Sequence, residues 1–98
     1  MQNNKLLREF LIKAATDKKL NPSHISLYTA ILILWEENNK TNPLSIDRED
    51  IMQLSKINSK VTYHKCLKYL HQAGYLKYKP SFSPLVRSQI QLIQNAKK

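Results

Sequence analysis

The stretch Ser59 to Leu76, SKVTYHKCLKYLHQAGYL, governs how the rest of the chain is read. Ser59 is a favoured helix N-cap, and Tyr63, Cys66, Leu67, Leu70 and Ala73 recur in steps of three and four, which predicts a helix to Ala73 with one inward stripe. Gly74 stands just past the end, where a left-handed residue stops a helix. The opposite face reads Lys60, Val61, His64, Lys65 and Lys68, with Thr62 and His71 at its margins. Beyond Gly74 the period drops to two. Tyr75-Leu76-Lys77-Tyr78-Lys79, the turn formers Pro80-Ser81-Phe82-Ser83-Pro84 and Val86 to Leu92 together predict a β-hairpin. Leu76 and Tyr78 share one face of it, with Ser88, Ile90 and Leu92 beside them.

Upstream, Asn4 to Thr16 places Leu7, Phe10, Leu11 and Ala14 at helical spacing, broadened by Leu6 and Ile12, and predicts an amphipathic helix. Asn21-Pro22 pairs an N-cap with the residue favoured at the first helical position, so a second helix runs from Pro22 to about Glu37. Its centre, Ala30 to Trp35 (AILILW), is apolar on every side, which predicts burial all round. Asn38 to Pro43 is a turn by composition, and Leu44-Ser45-Ile46 suits a brief strand. Asp47 then caps a short helix with Glu49 and Asp50 in its first turn. Ile46 and Ile51 are spaced as a hydrophobic staple across this start, and Ile51, Met52 and Leu54 supply the inner face. Ser55-Lys56-Ile57-Asn58 breaks the helix, and Asn58 is the residue there that tolerates a left-handed turn.

The chain carries sixteen Lys plus Arg against seven Asp plus Glu, a formal charge of +9 on 98 residues. All seven acids lie in the first fifty residues, where seven basic residues balance them; from Ile51 onward there are nine basic residues and no acid. Such asymmetry points to a polyanionic partner, because ordinary solvated surfaces intersperse both signs. The acid-free half is also the half that holds the Ser59 helix and the hairpin.

The order helix, short strand, helix, tight turn, helix, hairpin is that of a winged helix-turn-helix. Ser59 to Leu76 resembles the recognition helix and first wing strand of bacterial winged-helix regulators: a capping Ser, a Thr, two Leu three apart, then Gly-aromatic-aliphatic. More narrowly, LNPSHISLYTAILILWEEN with PLSIDREDIMQLSKINSKVTYHKCLKYLHQAGYLKYKPSFSP resembles small winged-helix proteins encoded on bacterial conjugative transposons and similar mobile elements. The Leu-Ser-Lys-Ile turn, the Thr-Tyr-His-Lys-Cys-Leu run and the Pro-Ser-x-x-Pro wing tip carry the likeness, which covers roughly residues 20–92. Asn58 and Arg87 depart from it, standing where relatives tend to have Gly. The resemblance implies an α-rich fold with a small β-hairpin: an N-terminal helix in residues 1–19 for packing or dimerisation, a DNA-binding domain over 20–93, and frayed residues 94–98.

On that layout the recognition helix, 59–73, lies in the major groove of double-stranded DNA and the wing, 75–92, lies on the backbone or in the minor groove. Lys60 and Lys65 are placed to meet guanine edges or flanking phosphates, Lys68 adds charge, and Val61 and Thr62 offer methyls to thymine. Asn58 and Ser59 can hydrogen-bond phosphate at the helix N-terminus. His64 is either a base reader or a plain surface residue. In the wing, Lys79, Ser81, Ser83 and Arg87 are the expected contacts, with Lys77 on the same outer face as Lys79; Phe82 either tucks under the hairpin or inserts at a groove. Tyr63 and Tyr69 are read as packing residues.

Other classes are weaker. His64 and His71 stand two and five residues from Cys66, on other faces of the helix, so no nucleophile-base pair forms, and His24, His64, Cys66 and His71 match no metal-ligand spacing. No enzyme activity, cofactor, metal or small-molecule ligand is expected. One cysteine, no signal-like N-terminus and no apolar run near 18 residues fit a cytoplasmic protein with no membrane partner. The expected function is sequence-specific DNA binding as a bacterial transcriptional regulator, with a homodimer through the N-terminal helix. An accessory factor for mobile-element replication or excision, and a winged-helix protein-interaction module, are the alternatives.

Overall fold

The helix that organises the molecule begins at Asn21. Its Oδ1 accepts the backbone N–H groups of Ser23 and His24 at 2.9 and 3.2 Å, and the Asn21 N–H donates to His24 Nδ1 at 3.0 Å, a reciprocal cap that satisfies the open end. The computed structural model describes residues 5–81 and 87–93. It contains α1 (Lys5–Thr16), α2 (Pro22–Glu37), β1 (Leu44–Ser45), α3 (Arg48–Ser55), α4 (Lys60–Gln72), β2 (Leu76–Lys79) and β3 (Gln89–Leu92). The chain is mainly helical, with one small antiparallel sheet.

Helix α2 packs against α1, α3 and α4. Phe10 of α1 stacks on Tyr28 of α2, ring centroids 3.9 Å apart and nearly parallel, and meets the edge of Tyr75 at 5.2 Å. Burial of α2 is incomplete, contrary to the expectation from its apolar centre. Ala30, Ile31, Leu32 and Trp35 are buried, but Leu34 is half-buried and Ile33 is 39% exposed, because among the described residues α1, α3 and α4 leave one strip of α2 uncovered. The α1 stripe is also narrower than its spacing predicts. Phe10 is buried with Leu6 and Leu7 against the core, while Leu11 and Ile12 face outward, α1 having α2 as its principal helical neighbour.

Helix α3 begins where expected, with Asp47 Oδ1 accepting the Glu49 N–H at 3.0 Å and with Ile46 and Ile51 both buried. Its inner face is Ile51 and Ser55 with Met52 half-buried; Leu54 is 45% exposed. Ser55 takes the inward place because the Ser26 hydroxyl donates to its carbonyl at 2.6 Å, drawing the end of α3 onto α2.

The left-handed residue of the turn is Lys56, with φ 65° and ψ 25°, and not Asn58. The Lys56 N–H donates to the Gln53 carbonyl and the Ile57 N–H to the Met52 carbonyl at 3.1 Å, the bond pair of a Schellman turn that swings Ile57 into the core. The end of α4 repeats this device. Gly74 has φ 86°, its N–H donates to the His71 carbonyl, and the Tyr75 N–H donates to that of Leu70. At Gly74 the position is occupied at no steric cost; at Lys56 it is not. Lys56→Gly is therefore expected to raise the unfolding free energy by about 0.5–1 kcal/mol, read as a higher urea midpoint at unchanged m.

The hairpin is part of a three-stranded sheet ordered β1-β3-β2. Leu76 pairs with Leu92 and Tyr78 with Ile90, while Leu44 of β1 faces Ile90 from the other side. Leu44, Leu76, Ile90 and Leu92 are buried on the sheet's inner face. The period-two reading of this region holds, over shorter strands than the sequence suggests.

A polar cluster ties the N-terminal segment to the second half. Asp17 Oδ2 accepts the hydroxyls of Tyr69 and Tyr75 at 2.7 and 2.8 Å, and Oδ1 accepts the Lys19 N–H at 3.0 Å. The two hydroxyls hold the Asp17 carboxyl below its ordinary pKa of 3.8. Since the folded protein then binds fewer protons than the unfolded chain, the contribution is complete above that value and is lost as pH falls through the lower folded pKa. Asp17→Asn is expected to lower the melting temperature at neutral pH, and the gap to the parent protein should close below pH 3.8. A gap independent of pH would assign the effect to shape instead of charge.

Candidate nucleic-acid interface

Helix α4 divides its residues between two environments. Tyr63, Cys66, Leu67 and Leu70 are buried against the rest of the molecule, whereas Ala73, expected in the same stripe, is exposed at the helix end, as are Lys60, Val61, His64, Lys65 and Lys68 on the other face. Val61 is 69% exposed, an aliphatic group left open to solvent among the described residues. Thr62 is half-buried at the margin. No acidic residue occurs on α4. The outer row Lys60, His64, Lys68 spans about 12 Å at 1.5 Å per residue, comparable with the width of the major groove.

The start of α4 is capped from within. Ser59 Oγ accepts the Thr62 N–H at 3.2 Å, so this hydroxyl serves the helix, while Asn58 beside it is exposed. His64 Nδ1 lies 2.9 Å from the Lys60 carbonyl, which can only accept, so Nδ1 carries the proton. Burial pushes the Cys66 thiol above its ordinary pKa, which suits a packing role. Tyr63 and Tyr69 pack as expected. Tyr63 is buried, its hydroxyl held protonated by its surroundings, and Tyr69 gives its hydroxyl to Asp17 and meets the His24 ring at 5.1 Å.

The expected wing contacts divide. Lys77 and Lys79 are exposed on β2. The Ser81 N–H donates to Ser88 Oγ at 3.1 Å, joining the two arms where the hairpin leaves the sheet. Arg87 is exposed, but its guanidinium lies 3.7 Å from the Asp47 carboxylate, so its charge is partly offset by an acid forty positions away. Ser83 and Phe82 lie outside the described residues. Among the described residues no group of His, Cys, Asp and Glu is placed to hold a metal ion, and no helix is long and apolar enough to cross a membrane.

No protein-family model, curated protein or solved structure matches this chain.

Two residues outside the expected set belong beside this surface. Arg48, in the first turn of α3, and His71, on the row of α4 that continues Lys60, His64 and Lys68, line a cleft between α4 and the strands. Helical spacing already sets His71 at the margin of this face, although it is not among the expected DNA contacts. Nothing in the sequence around Arg48, which is flanked by Asp47, Glu49 and Asp50, marks it.

Proposed function

We propose that this chain is a winged helix-turn-helix protein that binds double-stranded DNA, with α4 in the major groove and the β2–β3 arm on the adjacent backbone or minor groove. A bacterial transcriptional regulator is the role this reading implies. The observation that carries it is the division of α4: one face buried in the chain's own core, the other carrying Lys60, Lys65, Lys68 and His64 without a carboxylate. A groove-reading helix requires both, since the buried face fixes its orientation and the cationic face supplies phosphate and base-edge donors. The exposed methyls of Val61 suit contact with thymine. The reading includes a homodimer through α1, whose Leu11 and Ile12 remain outward after Phe10 is spent on the core.

Selecting bound fragments from random duplex DNA, then titrating the selected site against salt by gel shift, tests both parts. A defined site whose affinity falls linearly with log salt is expected, and two half-sites about one helical turn apart would mark the dimer. Absence of duplex binding at low salt would overturn the reading.

A further inference from the structure

Between α4 and the strands β2 and β3 lies a half-open cleft of about 610 Å³. It arises only in the fold, because its walls come from segments far apart in the chain. Arg48, His64, Lys68 and His71 line it, and no carboxylate does so among the described residues. Tyr63 and Tyr78, with Ile46 and Pro80, make the rest of the lining largely aromatic and aliphatic.

Arg48 gives the cleft its chemistry. Its Nε is buried and makes no hydrogen bond among the described residues. Asp47, next to it in sequence, is engaged elsewhere: it faces Arg87 at 3.7 Å and accepts the Glu49 N–H at 3.0 Å. Arg48 lines the cleft, and the terminal nitrogens of its planar guanidinium can donate in pairs to an oxyanion. His71 adds a second defined donor. Its Nδ1 accepts the Tyr78 N–H at 3.0 Å, which puts the ring proton on Nε2. Lys68 adds an ammonium group. Three donor groups of this kind around one space suit the three oxygens and double charge of a phosphate better than a carboxylate.

We propose that this cleft binds a small phosphate monoester carrying a ring. The phosphate is held by Arg48, Lys68 and His71, and the ring lies against Tyr78, Ile46 and Pro80. The volume is that of a small-molecule site. This binding does not depend on the DNA reading. If both hold, ligand and duplex share His64 and Lys68, and each weakens the other.

The test is an amide NMR titration of the full chain with phenyl phosphate, and separately with inorganic phosphate and a duplex. Phenyl phosphate should shift resonances of Arg48, Lys68, His71 and Tyr78, and bind about tenfold more tightly than inorganic phosphate because its ring leaves water. Arg48→Gln should weaken it at least tenfold with the helical circular dichroism unchanged; Lys68→Gln gives the same reading should Arg48→Gln not fold. Lys18→Gln, exposed and outside the cleft, should change the affinity less than twofold. No shift with phenyl phosphate up to about 10 mM, or binding indifferent to both cleft variants, overturns the proposal. So does a cleft that responds to duplex alone, since its acceptor is then a strand phosphate. Phenyl phosphate binding without duplex binding would leave this site standing and remove the DNA reading.

Discussion

Replacing Lys60 and Lys65 together by Ala is expected to weaken binding to the selected duplex roughly 30-fold at physiological salt and to reduce the slope of log affinity against log salt by about two. Each phosphate contact displaces close to one counterion, with a slope near 0.9, so at about 0.15 M salt each lysine is worth roughly fivefold. Both side chains are exposed on the outer face of α4, and alanine is the better helix former, so the fold should hold. The loss should then appear in affinity with no fall in melting temperature. Arg87→Ala should change the slope by less than one, because Asp47 already offsets part of its charge in the free protein. An unchanged slope in the double variant would mean that α4 does not meet the phosphate backbone.

The contrast between Lys60 and Arg87 shows what a chain of this kind discloses before it is folded. The outward placement of Lys60 follows from its neighbours, because helical spacing alone separates it from Tyr63, Leu67 and Leu70. Arg87 sits in an acid-free half, yet its partner comes from the other half, and no local pattern carries that pairing. The two helix ends make the same point about backbone. Gly74 is legible because glycine is the ordinary occupant of a left-handed cap, whereas Lys56 adopts the same conformation under the pull of Ile57 entering the core. At the end of α3, periodicity favours Leu54 inside, and the Ser26–Ser55 hydrogen bond places Ser55 there instead. Local spacing thus accounts for the cationic face of α4 and its buried stripe from Tyr63 to Leu70, while the cleft with Arg48 and His71 depends on packing between distant segments.

Packing is also what separates two isoleucines of one helix. Ile31→Ala is expected to cost about 3 kcal/mol, and Ile33→Ala close to nothing, within about 0.5 kcal/mol. Ile31 is fully buried in α2, so truncation removes methyl groups from the core and leaves a cavity between packed helices. Ile33 is 39% exposed, and the better helix propensity of alanine offsets the little burial it loses. The propensity gain is common to both substitutions, so their difference isolates burial. For a domain of this size the Ile31 variant should melt about 12–24 °C lower and the Ile33 variant within a few degrees of the parent. Comparable losses at both positions would mean that the strip of α2 left open by α1, α3 and α4 is covered in solution. Where the covering surface comes from a second molecule, the Ile33 loss should diminish on dilution as that molecule dissociates.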